Sequence, residues 1–160
     1  MKASADAAEQ AEARPDPALE KRELRIQLRN EAFRLLRHLA RGEFTEAATL
    51  IVASDPARAR GGSDAPPEDD APKVKLLASE LEKKMTEYRV DHSGVLTDSR
   101  ARGTEHTHVE ESLETWTIEQ TLTDPDEHND WSLKLSLDLA STRLLGRLSW
   151  EFLSLSAITA

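Results

Sequence analysis

The stretch "WSLKLSLDLA", Trp131 to Ala140, decides the fold because its side chains alternate strictly between apolar and polar. Such period-two alternation predicts a β-strand with one face in the core and one in water. The predicted core face carries Trp131, Leu133, Leu135, Leu137 and Leu139, and the opposite face carries Ser132, Lys134, Ser136 and Asp138.

Segments on either side of this stretch repeat the alternation. Upstream, "ESLETWTIEQTLTD" places Trp116, Ile118, Gln120 and Leu122 on one side of a strand. Downstream, "RLSWEFLSLSAI" predicts a third strand. Strands with one apolar and one polar face are typical of an antiparallel sheet covered on one side. We therefore expect three to five antiparallel strands.

The first half of the chain has helical patterns. "LEKRELRIQLRNEAFRLLRHLARG" spaces its leucines along one broad face, with Asp16 and Pro17 as start signals and Gly42 as the C-cap. "EFTEAATLIVA" predicts a second, short helix after the glycine corner, and a long amphipathic helix is predicted from Pro72 to about Tyr88. The fold class is α+β, with two N-terminal helices and a long helix packed on one face of the sheet.

Two segments lack periodicity. Residues 1–17 combine Ala, Glu and Pro and predict a disordered tail. Residues 54–71 are rich in Pro, Gly, Ala and Asp and predict a long flexible loop. The remainder, residues 18–158, is of a length that suits a single domain.

The composition limits the classes of function. The chain has no cysteine, which excludes thiolate nucleophiles and cysteine-based metal sites and favours a cytoplasmic location. No apolar run is long enough for a membrane span or a signal peptide, so no membrane association is expected. The formal charge of −9 opposes general binding to nucleic acid.

The predicted first helix departs from this acidic average. From Glu20 to Arg41, seven basic residues stand against three acidic ones, a local charge of +4. The candidate binding residues for RNA phosphates or an acidic partner surface are Arg25, Arg29, Arg34, Arg37 and Arg41. Because Arg25 and Arg29 lie near the apolar stripe, we expect the first turns of the helix to extend past the core.

The stretch "DPDEHNDW", Asp124 to Trp131, puts four acids, a histidine and an asparagine between two predicted strands. Asp-Pro and Asn-Asp are turn dipeptides, so a hairpin connection is the simplest interpretation. A calcium loop is excluded, since His128 takes the fifth position, Asn129 the glycine position and Leu135 the glutamate position. A general acid or base, Asp138 with His128 or Glu119, is a weaker alternative because exposed carboxylates are usually solvated.

The stretch "TEHTHVEE" offers a weak metal candidate. His106, His108 and Glu110 are spaced two apart and would share one face of a strand over residues 107–111. A polar sheet edge explains the same pattern. His38 and His92 have no recognisable partner, and we expect no cofactor.

The segment "WTIEQTLTDPDEHNDWSLKLSLDLAST" resembles the C-terminal signature of a domain-of-unknown-function family found after the motor of bacterial DEAD/DEAH-box RNA helicases. The run "LRNEAFRLLRHLARGEFTEAA" is also similar, and the resemblance covers most of residues 24–158. The positions that carry it are Trp116, Gln120, Leu122, Asp124, Pro125, His128, Asn129, Asp130, Trp131, Leu133, Asp138, Leu139, Ala140 and Ser141. Their role is expected to be structural.

The resemblance implies association with an RNA helicase but supplies no catalytic residue. The chain has neither a G-x-x-x-x-G-K-[ST] phosphate loop nor an Asp-Glu-x-x box, so we expect no ATPase here. It is either a stand-alone relative or the terminal piece of a larger enzyme. The expected function is that of a non-catalytic accessory domain that docks to a helicase motor or to RNA.

The order of the predicted elements also resembles the cone-shaped fold of nuclear transport factor 2. Such folds often leave a pocket inside a curved sheet. The alternative function is therefore a small-ligand or enzymatic pocket walled by Trp116, Trp131 and Trp150, although core packing accounts for the same tryptophans.

Overall fold

The computed structural model describes residues 17–56 and 67–158. In this part of the chain four α-helices and four β-strands form an α+β fold. The helices are α1 (Pro17–Ala40), α2 (Phe44–Ser54), α3 (Pro67–Asp91) and α4 (Leu139–Leu145), and the strands are β1 (Thr107–Glu111), β2 (Thr115–Leu122), β3 (Trp131–Asp138) and β4 (Trp150–Ala157). Two short 3-10 helices, Ser99–Arg102 and Thr104–His106, lead into β1.

The four strands form an antiparallel sheet in the order β1-β2-β3-β4. The register pairs Trp116 with Leu137 and Ile118 with Leu135, so the predicted core positions of β2 and β3 lie side by side. These residues are buried. The period-two prediction for the two central strands is therefore confirmed.

Strand β4 keeps its inward pattern by means of a bulge. Lys134 pairs with Ser154 while Leu135 pairs with Phe152, so Leu153 is an extra residue in β4. An extra residue shifts the phase of alternation by one. Without the bulge, Trp150 and Leu155 would point to opposite faces of the strand. With it, both are buried, whereas Leu153 is 46% exposed.

Helix α1 ends where the glycine predicted it. Gly42 has φ +73°, its N–H donates to Leu39 O over 3.2 Å, and the Glu43 N–H donates to His38 O over 2.8 Å. This pair of bonds is the Schellman motif, which requires a left-handed residue at the glycine position. The turn places Phe44 at the start of α2, as predicted to within one residue.

Helix α3 is longer than the sequence predicts. It begins at Pro67, five residues before the predicted start at Pro72, and Pro72 lies inside it. The prediction of a loop over residues 54–71 is therefore wrong at 67–71, and its centre, residues 57–66, lies outside the described residues, as does the predicted tail up to residue 16. The added helical residues, "PEDDA", carry no large apolar side chain, so hydrophobic periodicity could not detect them.

Helix α4 was not predicted. Strand β3 stops at Asp138, and Leu139, assigned above to the core face of the strand, is the first residue of α4. The Asp138 side chain accepts a hydrogen bond from the Ser141 N–H, the bond expected of an N-cap. Gly146, with φ +70°, ends the helix.

Helices and sheet share one hydrophobic core. Leu28, Leu36, Met85 and Trp116 are each at most 2% exposed and belong to a single buried cluster. Helix α1 contacts β2 and β3, and α2 contacts both α3 and β4. Within the described residues, no helix combines the length and the apolar character that crossing a bilayer requires.

Candidate functional site

The outer side of α1 and the turn that follows it carry three exposed arginines, at positions 34, 37 and 41. The Arg34 guanidinium lies 3.7 Å from Glu31, a loose contact on a side chain that is 59% exposed. Arg37 lies 5.9 Å from the centre of the Phe33 ring. Because the three side chains are exposed and the Arg34–Glu31 contact is long and weak, these guanidinium groups are accessible to a partner.

Arg25 has its partners within the fold. Its Nε donates to Glu111 of β1, and its guanidinium lies 5.9 Å from the centre of the Trp116 ring. The hydrogen bond from Arg25 holds the pKa of Glu111 below its ordinary value. At Arg25 the helix therefore lies against the sheet, so this arginine has partners within the fold and does not project past the core.

Arg29 belongs to a second arrangement, together with a residue that sequence reasoning missed. Arg29 Nη2 donates to the backbone carbonyl of Arg102 over 3.3 Å, and Arg102 Nη2 donates to Asn30 Oδ1 over 2.9 Å. The Arg102 guanidinium lies 4.7 Å from the centre of the Phe33 ring, close enough for a cation–π contact. Arg102 thus extends the arginines of α1 across to the loop before β1.

A shallow pocket of about 140 Å³ lies between α1 and this loop. Its lining residues are Ile26, Arg29, Asn30, Phe33, Arg102, Thr107 and Gln120. No carboxylate of a described residue forms an ion pair with Arg29 or Arg102. We call Arg29, Arg34, Arg37, Arg41 and Arg102 the basic surface.

The stretch "DPDEHNDW" connects β2 and β3, as predicted, and encloses a buried carboxylate. Asp124 is 1% exposed, and its Oδ1 accepts the N–H of Asn129 over 3.0 Å. The chain folds back tightly because Glu127 and Asn129 have φ values of 59° and 47°. Left-handed backbone is uncommon outside glycine and marks turns held by their surroundings.

Two histidines meet at Asp124. His128 Nδ1 lies 3.0 Å from Asp124 Oδ2, without the alignment of a hydrogen bond. His92, near the end of α3, brings a ligand atom within 4.8 Å of both. Among the described residues this is the one group in which at least three His or acidic ligand atoms come this close.

His92 is held by acceptors on both sides of its ring. Nδ1 lies 2.6 Å from the carbonyl of Tyr88, which can only accept, so Nδ1 carries a proton. Nε2 lies 2.7 Å from Asp130 Oδ1. The ring stacks on Tyr88 at 4.1 Å between centroids and meets the His128 ring edge-on at 5.2 Å.

The charges in this turn stabilise one another. Burial alone would lower the pKa of His92, but the Asp130 carboxylate and the Tyr88 carbonyl outweigh it, so the pKa lies above its ordinary value. Burial would likewise raise the pKa of Asp124, yet the backbone amides of Asn129 and His128 and the nearby histidines hold it below the ordinary value. The turn is thus a polar cluster built into the fold.

The remaining signature residues have structural contacts. Gln120 Oε1 accepts from Thr107 Oγ1 over 2.6 Å, and Asp138 caps α4. Trp116 and Trp150 are buried in the core, and Trp131 packs edge-on against Tyr88 at 5.4 Å. Trp116 and Trp150 therefore pack in the core and Trp131 packs against it, which fits the core-packing account given above.

The weak metal candidate is not brought together. His106 lies in the 3-10 turn before β1 and sits 3.4 Å from Glu105, whereas His108 and Glu110 lie on the strand. His106 therefore does not follow the period of two that would align it with the other two residues. In the described part of the chain these three do not form a close ligand group.

Asp138 lies at a second surface pocket of about 500 Å³, formed where β2, β3 and α4 meet. Neither His128 nor Glu119 lines it. The suggested pairing of Asp138 with one of them as acid and base is therefore not seen, since Glu119 accepts from Ser132 over 2.9 Å and His128 contacts Asp124.

Comparison with known proteins identifies the family. A model of the family described as "Domain of unknown function (DUF3516)" matches residues 1–155. Neither the curated proteins nor the solved structures give a match. Because the family model covers nearly the whole chain, the chain belongs to the DUF3516 family of domains of unknown function.

Proposed function

We propose that the chain is a non-catalytic accessory domain that works beside an RNA helicase motor and contacts RNA phosphates through the basic surface. The helicase part of the proposal rests on the resemblance described above. The RNA part rests on one observation, the cluster of exposed guanidinium groups that no described carboxylate neutralises tightly.

The basic surface is continuous along α1 and beyond it. Arg34 and Arg37 are spaced three residues apart, which puts their side chains on one side of α1, and Arg41 follows in the turn directly after the helix. Arg37 and Arg102 both lie against the Phe33 ring, so they join the helix to the loop before β1. Such a row of arginines matches the spaced negative charges of a nucleic-acid backbone.

Phosphate contact is favoured over reading of bases. Sequence-specific binding of single-stranded RNA needs exposed aromatic rings for stacking. Phe33 is 4% exposed and is already flanked by guanidinium groups, and Trp116 is 2% exposed. Binding should therefore be insensitive to sequence and sensitive to salt.

The net charge of −9 argues for a supporting role. An acidic chain with one basic surface binds RNA weakly when alone, because the negative electrostatic potential of its remaining surface repels phosphate. A helicase motor would supply both the ATP chemistry and most of the RNA affinity. The domain would orient the RNA strand. It would act in the cytoplasm, a reducing compartment in which proteins do not depend on disulfide bonds.

The fold is, in this proposal, a relative of the cone-shaped fold of nuclear transport factor 2. Support comes from the order of elements, a helical hairpin, a long helix and antiparallel strands. The interior between helices and sheet is filled by leucine, tryptophan and methionine side chains. The filled core favours a docking domain over the alternative of a ligand pocket walled by the three tryptophans.

The test is binding of a fluorescent single-stranded RNA to the full chain, measured by anisotropy at low salt. The test variant is Arg34→Glu/Arg37→Glu/Arg41→Glu. The matched control, Lys75→Glu/Lys83→Glu/Lys84→Glu, makes the same change of charge at exposed positions of α3. The proposal predicts at least about a 20-fold weaker affinity in the arginine variant than in the control.

Equal losses of RNA affinity in the two variants would show that only the net charge matters. If the wild type did not bind RNA at low salt, the proposal of RNA contact would be wrong. In the second case, capture of a purified helicase motor by the wild type but not by the arginine variant would assign the surface to protein docking.

A further inference from the structure

The β2–β3 turn contains an unusual concentration of buried polar atoms without partners. Among the described residues, five buried side-chain nitrogen or oxygen atoms lack a hydrogen bond, and three of them are Thr123 Oγ1, Asp124 Oδ2 and Asn129 Oδ1. Leaving such an atom without a hydrogen bond lowers the stability of the fold, so each one calls for an explanation. Asp124 Oδ2 is the most informative because it belongs to a carboxylate that is 1% exposed.

The orphaned oxygen faces nitrogen and oxygen donors of the kind that bind metal ions. Asp124 Oδ2 lies 3.0 Å from His128 Nδ1, and one ligand atom each from His92, Asp124 and His128 lies within 4.8 Å of the others. Asp130 Oδ1 lies 2.7 Å from His92 Nε2, beside this group rather than within it. Ligand atoms about 2.0–2.2 Å from a tetrahedral ion lie about 3.3–3.6 Å apart, and the 3.0 Å between Asp124 Oδ2 and His128 Nδ1 is close to that separation.

His92 is oriented as metal-binding histidines are. Its Nδ1–H donates to the Tyr88 carbonyl, which leaves Nε2 as the atom that faces the cluster. A ligating histidine almost always donates its other ring N–H to a carbonyl or carboxylate, which fixes the ring. Stacking on Tyr88, with ring planes 7° apart, holds the same orientation.

We propose that His92, Asp124 and His128 bind one divalent transition-metal ion of the zinc class, which ties the β2–β3 turn to the end of α3. Two imidazoles with one carboxylate suit Zn²⁺ better than Mg²⁺ or Ca²⁺, which prefer oxygen ligands alone. Three protein ligands leave the fourth tetrahedral position to a water molecule. The site is reachable from solvent, since the side chains of His128 and Asp130 are 48% and 56% exposed.

The inference does not depend on RNA binding, because the cluster and the basic surface share no residue. It also differs from the metal candidate of the sequence, His106, His108 and Glu110, which the structure keeps apart. The competing explanation is a metal-free network in which a protonated His92 bridges Asp130 and the Tyr88 carbonyl. The two explanations differ in whether the full chain takes up an ion.

The test is a titration of the chelator-treated full chain with Zn²⁺ against a chromophoric chelator, with Co²⁺ as a spectroscopic probe. We expect one ion per chain, a Co²⁺ spectrum of the tetrahedral type and a higher melting temperature with Zn²⁺ than with chelator. His128→Gln removes one of the three ligands at a side chain that is 48% exposed, and it should weaken Zn²⁺ binding at least about 100-fold.

The control is His106→Gln/His108→Gln, which removes two imidazoles outside the cluster and should leave the affinity unchanged. Binding that is equal in wild type and His128→Gln, or that disappears in the His106/His108 control, would overturn the proposal. A wild type that takes up no Zn²⁺ and melts at the same temperature with and without chelator would leave the metal-free network as the answer.

Discussion

The basic surface and the β2–β3 turn are both rich in charge, yet they relate to the fold in opposite ways. Arg34 and Arg37 project from α1, whose other side is buried, and their contacts are loose, while Arg41 is exposed in the turn after the helix. Asp124 and His92 are almost fully buried and are held by short contacts. Exposed charge is available to a partner, whereas buried charge contributes to the fold that positions it.

The largest effect is expected from removing the buried carboxylate. Asp124→Ala deletes the acceptor of the Asn129 N–H and the partner of His128, and it should lower the free energy of unfolding by about 2–4 kcal/mol. Urea denaturation in the presence of a chelator measures this without any metal contribution. Asp126→Ala, at an exposed position of the same turn, should change stability by less than about 0.5 kcal/mol. Equal effects of the two changes would mean that the cluster is not part of the fold.

The corner that ends α1 should come next. Gly42→Ala forces a side chain into a left-handed backbone with φ +73° and should cost about 1–2 kcal/mol. Gly94→Ala is the control, because a Cβ there meets no atom within 4 Å and its backbone is not left-handed. A Gly42→Ala variant as stable as Gly94→Ala would rule out the Schellman geometry that sets the end of the basic surface.

Glu31 is the exception within the basic helix, and it allows a test by pH. Burial raises the pKa of Glu31, and Arg34 only partly opposes this. Because the pKa of this carboxyl is higher in the folded than in the unfolded chain, ionisation of Glu31 opposes folding. The loss of stability is absent below the unfolded pKa and grows as the pH rises through the folded pKa. Glu31→Gln should therefore be more stable than the wild type at pH 7, by up to about 1 kcal/mol, and the gain should shrink below about pH 4.5. Thermal melts across this pH range measure the difference, and a Gln variant less stable at pH 7 would contradict it.

The smallest effect on stability should come from the basic surface itself. Arg34→Gln/Arg37→Gln/Arg41→Gln removes exposed charges and should shift the free energy of unfolding by less than about 0.5 kcal/mol per site. If the basic surface is available to a partner and is not part of the fold, replacing its arginines must leave the free energy of unfolding nearly unchanged. A loss as large as that of Asp124→Ala would show that these arginines are structural.

Much of the fold could be predicted because alternation and helical periodicity are local signals. Strands β2 and β3 and the glycine corner followed from them. The start of α3 and the position of α4 could not, since "PEDDA" has no apolar rhythm and Leu139 suits a strand as well as a helix. The bulge at Leu153 depends on pairing between strands, which no single segment contains.

The candidate sites divide in the same way. The arginines of α1 are visible in the sequence because they follow one another on a helix. The other members come from distant parts of the chain. Arg102 joins the surface through a contact with Phe33, and His92 meets Asp124 only after α3 and the sheet have packed. In the sequence His92 has no recognisable partner, whereas in the fold it contacts Tyr88, Asp130 and His128.

The most direct measurement of the central claim is the salt dependence of RNA affinity in the wild type and in Arg34→Gln/Arg37→Gln/Arg41→Gln. Each lost phosphate contact should reduce the slope of log affinity against log salt by about 0.7, so the three changes should reduce it by about 2. A slope that falls by this amount, with the fold unchanged, would make the basic surface the RNA-contacting element. A wild type and variant with the same slope would contradict that assignment.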